Sequence, residues 1–166
     1  MKPPHLLAIF LISAAAISYE ILLVRYLELT QFTELSATII SLALLGFGAS
    51  GLFANALQKR LKSINLKKVI TFAASFFSPL SLVVLFIIHN ISLNPLAIFV
   101  DTSQYLNLVL QFFFLSLPFF SASTCIVLHL SLFKRSVHKL YFADLLGASL
   151  GCLLAVLSLT LLSTLN

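Results

Sequence analysis

Few residues of this 166-residue chain can act as acid, base, nucleophile or ligand, and they stand far apart. Glu20 lies inside the apolar run "SAAAISYEILLVRYLEL", with Tyr19 before it and Arg25 five residues on. An ionisable group in such a run contacts a substrate, a proton path or a partner by default. The bland alternative is a protonated carboxyl, or one held by a polar group of another segment, that merely fixes packing. Arg25 falls roughly 140° around a helix from Glu20, so the two are not placed for a local ion pair. Arg25 and Glu28, three apart, are. Asp144 precedes "LLGASLGCLLA" and reads as the acid at a helix N-terminus, capping free N–H groups and complementing the dipole rather than touching a ligand.

The other candidates carry less. His89, His129 and His138 show no metal-ligand spacing with one another or with a cysteine. Cys125 and Cys152 lie in apolar stretches, where a thiol is a small apolar filler. No nucleophile–base constellation is visible, and helical Ser and Thr are expected to bond their own backbone. No metal, no cofactor and no catalytic residue is expected. Gly46-Phe-Gly48-Ala-Ser-Gly51 matches the G-x-G-x-x-G of dinucleotide sites, which also need an acid about 20 residues on to hold a ribose. No Asp or Glu occurs between Glu34 and Asp101. The glycines are therefore expected to let helices approach closely, as small residues do in lipid. Gly46, Ser50 and Ala54 share a face at four-residue spacing, and Gly147, Gly151 and Ala155 form a second such stripe.

The elements that would position these residues follow from composition. The chain is 60% hydrophobic and 9% charged, with a mean hydropathy of +1.10, whereas a soluble domain carries about 25% charge. Apolar stretches long enough for the roughly 20 residues of a span recur along the chain. An all-α, polytopic transmembrane bundle is expected, with about five spans near 5–28, 35–57, 69–89, 105–131 and 141–164. The segment 90–104 joins spans three and four, and its "LAIFV" is expected against the membrane surface. Pro79 and Pro118 fall inside spans and are expected to kink them.

Basic residues gather at Lys59, Arg60, Lys62, Lys67 and Lys68 and again at Lys134, Arg135 and Lys139. The positive-inside rule puts both loops, and the N-terminus with Lys2, in the cytoplasm and the C-terminus outside. Arg25 is the one basic residue out of place. The net charge of +5 is an orientation signal with some attraction for anionic lipid, too scattered for nucleic acid. "MKPPHLLAIFLISAAAISYE" has a signal-peptide character, but the apolar run resumes after Glu20 and completes a span.

Four blocks carry a family resemblance: "SAAAISYEILLVRYLEL", "SLALLGFGASGLF", "LSLPFFSASTCIVLHL" and "LYFADLLGASLGCLLAV". In this order they resemble the membrane region of bacterial spermidine-synthase-like proteins, which join transmembrane helices to an aminopropyltransferase-type domain. The resemblance maps onto Tyr19, Glu20 and Arg25 in the first block and Tyr141, Asp144, Gly147 and Gly151 in the last. The catalytic part of that family has no counterpart here, so the resemblance implies a membrane module without the enzymatic activity.

The leading expectation is a non-enzymatic, multi-pass module of the inner (cytoplasmic) membrane. It would anchor a separately encoded soluble enzyme or join another membrane subunit, with homo-oligomers also open. The rival is a transporter or binding protein for a cationic substrate such as a polyamine, contacted by Glu20 and Asp144. A truncated gene product is a third reading. For packing, span two is expected against span one or five, with Ala14–Ala16 and Gly147 and Gly151 as flat partner surfaces, and Gly48→Leu or Gly151→Leu as destabilising changes. The orientation has its own test. With Cys125 and Cys152 replaced, a cysteine at Ser63 is expected to be shielded from an impermeant thiol reagent in intact cells, and one at Ser103 to react. The opposite pattern reverses the topology.

Overall fold

In a computed structural model, the chain is described over residues 3–30, 33–60, 66–90 and 102–164. Every segment is helical: α1 (Pro3–Thr30), α2 (Thr33–Arg60), α3 (Leu66–Asn90), α4 (Thr102–Leu132) and α5 (Val137–Thr164), with a single 3₁₀ turn, Lys134–Ser136, before α5. Helix is what an apolar run must adopt in hydrocarbon, because each backbone N–H and C=O finds its partner within the segment. All five helices are long and apolar enough to cross a membrane. The connection 91–101, with its expected surface-lying stretch, is outside the described residues.

α4 is the hub. It packs against α1, α2 and α3, while α5 packs chiefly on α1. Of its apolar window 61% is buried, against 22–28% for the others. The sequence explains why. "SASTC" (121–125) is a run of small side chains in the middle of a span, and small residues let several neighbours come close at once. Toward one end of the bundle, Ile12 and Ala16 of α1 join Phe77 of α3 and Ala122 and Cys125 of α4. Toward the other, Leu23 and Leu27 meet Ala43, Val84 and Phe119. Tyr19 packs against both clusters. The outer surface is Leu and Phe, with Leu44, Leu52, Phe72, Phe86 and Phe142 all exposed, the face a bundle turns to lipid.

The glycines divide into two kinds. A Cβ on Gly46 would sit 2.9 Å from the Phe119 Cβ and 3.0 Å from the Phe120 nitrogen, so α2 touches the α4 backbone there. Ser50 and Ala54 continue that buried stripe. Gly48 and Gly51 have nothing within 4 Å of that position. This corrects the expectation that all three pack. They fall on the far side of the helix from Gly46, since steps of two and five residues leave its face. The partner of α2 is corrected as well: it is α4 first and α1 second, not α5. The α5 glycines instead meet α1, where a Cβ on Gly147 would lie 3.0 Å from the Phe10 Cα and one on Gly151 2.8 Å from the Ala14 Cα.

Gly151→Leu is accordingly expected to destabilise the bundle by about 1–3 kcal/mol or more, because backbone rather than a flexible side chain stands in the way. Gly48→Ala is expected to leave stability unchanged or raise it by up to ~1 kcal/mol through helix propensity. Thermal unfolding in a single detergent checks both. A loss at Gly48 comparable to that at Gly151 refutes the division.

Candidate functional site

Polar groups converge at three places, each set by a different pair of elements. The first is the α1–α5 seam. The Ser13 hydroxyl donates to the Asp144 carbonyl at 3.0 Å and that of Ser18 to the Gly151 carbonyl at 2.8 Å. Contacts advance in the same direction along both helices, so α1 and α5 run parallel. Ser121 of α4 makes the equivalent bond to the Ala73 carbonyl of α3, at 2.8 Å. Most other helical hydroxyls do bond their own backbone, as Ser81, Ser116, Thr124 and Ser149 show. The exceptions stand beside small residues, where a neighbouring carbonyl comes within reach.

The second place is the middle of α1. Tyr19 is an aromatic core residue, its ring 5.7 Å from that of Phe119 and 6.1 Å from that of Phe77. Glu20 is half-buried, and no hydrogen bond or ion pair engages it among the described residues. Arg25 is spoken for, its guanidinium 3.2 Å from the Glu28 carboxylate. Next to Arg25, the Tyr26 hydroxyl and His89 Nδ1 bond at 3.1 Å and tie α1 to α3. Asp144 differs from expectation. α5 begins at Val137 and has no acid in its first turn, so Asp144 stands at the end of the second turn and does not cap the helix. The apolar pattern located the span but not the extra turn supplied by Val137–Leu140. Asp144 is level with Ser13, seven residues and roughly 10 Å below Glu20, so the two acids do not form one site.

At the third place the two histidines, more than a hundred residues apart, had no sequence signal. Cys125 and His129, one helical turn apart on α4, did, and the expectation that no cysteine stands in register with a histidine is corrected there. His5, in the first turns of α1, and His129, in the last turn of α4, lie with ring centroids 6.0 Å apart. The Phe133 ring is 4.8 Å from that of His5. Both imidazoles line a cleft of about 590 Å³ between α1, α3 and α4, with Thr71, Ser75 and Cys125. His129 is 4% exposed, and its Nδ1 lies 2.9 Å from the Cys125 carbonyl. A carbonyl only accepts, so Nδ1 carries the proton and Nε2 is left as the acceptor. The Cys125 Sγ is 3.7 Å from that same Nδ1. A nitrogen that already holds a proton does not take one from the thiol, so this pair is no nucleophile–base dyad. No group of three or more His, Cys, Asp or Glu able to hold a metal occurs among the described residues.

Comparison with protein-family models, curated proteins and solved structures finds no match.

The assignment of the His129 proton is measurable. Imidazole ¹⁵N spectra of the protein in micelles at mildly alkaline pH are expected to show a His129 protonated at Nδ1. An Nε2-protonated ring would mean that the bond to the Cys125 carbonyl is not made.

Proposed function

We propose that this chain is a non-enzymatic module of the cytoplasmic membrane that works as an anchor or subunit of a larger assembly, and that Glu20 is its point of engagement. The observation that supports this reading is a half-buried carboxyl within a span for which the described residues supply no partner. An unpaired ionisable group at that depth costs on the order of 2.5–3.5 kcal/mol. A hydrogen-bond donor or cation on a neighbouring membrane protein would remove that cost and make association specific. The likeness of the four sequence blocks to the membrane part of spermidine-synthase-like proteins points the same way, toward a module that serves a separate catalytic partner. Transport of a cationic substrate draws on the same carboxyl. It has less support, because Asp144 stands at another level and the His5–His129 cleft presents no carboxylate.

Two measurements separate these readings. In the isolated chain, Glu20→Leu is expected to leave thermal stability unchanged or raise it, since no bond among the described residues is lost. In gently solubilised native membranes the same change is expected to abolish a co-purifying partner that the parent chain retains. Recovery of the parent chain alone across several mild detergents counts against the subunit reading. Polyamine uptake into proteoliposomes that Glu20→Gln abolishes would establish transport instead.

A further inference from the structure

A second recess lies where α1 and α5 both begin. It is a groove of about 1140 Å³ bordering the glycine seam, walled by Leu7 and Phe10 of α1 and Phe142 and Leu146 of α5. His138 and Lys139 stand at its rim. The wall is apolar and the rim cationic. Lys134 and Arg135 precede them in the turn that leads into α5, and both are exposed, as are His138 and Lys139. None of these side chains meets an acid: the ion pair found among the described residues is Arg25–Glu28. The first turn of α5 holds no carboxylate, and the helix dipole adds positive potential at the same point. Positive charge is therefore concentrated at the mouth of an apolar groove, and no carboxylate pairs with it among the described residues.

We propose that this groove binds one anionic phospholipid, its phosphate against Lys139 and His138 and an acyl chain along Leu7, Phe10, Phe142 and Leu146. A basic pocket between membrane helices is the arrangement that recognises anionic headgroups, and each buried methylene of the chain adds affinity. Charge complementarity selects this occupant. A zwitterionic headgroup would bring its own cation toward the lysine, and a soluble phosphate would leave the apolar walls uncovered. The site is separate from Glu20, and neither assignment depends on the other.

Native mass spectrometry of the delipidated protein, titrated with phosphatidylglycerol or phosphatidylcholine of identical chains, tests it. One phosphatidylglycerol is expected to be retained per chain, about fivefold or more tighter than phosphatidylcholine. His138→Gln with Lys139→Gln is expected to abolish that preference while the protein stays folded, because both side chains are exposed. Lys68→Gln, an exposed base outside the groove, is expected to have no effect. Equal affinity for the two lipids overturns the proposal, as does an equal loss from Lys68→Gln. So does displacement of the lipid by sn-glycerol 3-phosphate, which would show a soluble phosphate site.

Discussion

Cohesion of this bundle rests on how closely its backbones approach. Lipid is as apolar as leucine, so burying Leu against Leu gives no hydrophobic gain, and helices associate through dispersion contacts and interhelical hydrogen bonds. Both require small side chains at the crossing. At the α1–α5 crossing Gly147 and Gly151 lie directly on the backbone of Phe10 and Ala14. That closeness brings the Ser13 and Ser18 hydroxyls to the carbonyls of the facing helix. The bonds are a consequence of the glycines. A larger residue at either position would separate the carbonyls from the serines and remove both kinds of cohesion together.

The same rule explains the place of α4. Ser121, Ala122, Ser123, Thr124 and Cys125 are all buried, and they serve several interfaces in succession around the helix. Ser121 reaches the α3 backbone. Ser123 pairs with Ser50 of α2. Ala122 and Cys125 face the cluster shared with α1. Pro118 sits one turn before this run and is fully buried. It lacks an N–H, so a carbonyl one turn earlier loses its helical partner. A tightly surrounded helix tolerates that loss better than an isolated one, because neighbours can re-satisfy the freed group.

Helix number and helical class were legible because each rests on local composition. Twenty apolar residues without charge have one solution in lipid. The Arg25–Glu28 pair was legible too, because its geometry is internal to one helix. Partner choice was not. Gly46, Gly48 and Gly51 carry the same side chain, and which of them packs depends on where α4 lies, information held some seventy residues away. The start of α5 was not legible because Val137–Leu140 contains His and Lys, which composition assigns to a loop while the backbone continues as helix. The His5–His129 contact had no precursor in spacing at all. Its nearest signal was that each histidine stands at the end of a span, and span ends on one side of a bundle meet.

What distinguishes the polar residues in the end is whether the bundle satisfies them. Ser13, Ser18, Ser121 and His129 are bonded to carbonyls of the bundle, so they explain architecture and leave nothing over for a ligand beyond the Nε2 of His129. Tyr26 and His89 satisfy one another, as do Arg25 and Glu28. The side chains of Glu20, Asp144 and the basic cluster at the start of α5 remain without a bonded partner among the described residues, on different levels of the bundle. Glu20 and Lys139 lie roughly 18 Å apart along the bundle axis, too far for an ion pair. Each therefore looks outward, and their depths differ. A carboxyl inside a span meets protein or lipid chains, and only protein offers a donor. A cationic turn at the end of a span meets headgroups. On the proposed reading, the function of this chain is to be sought at its surface rather than in its core.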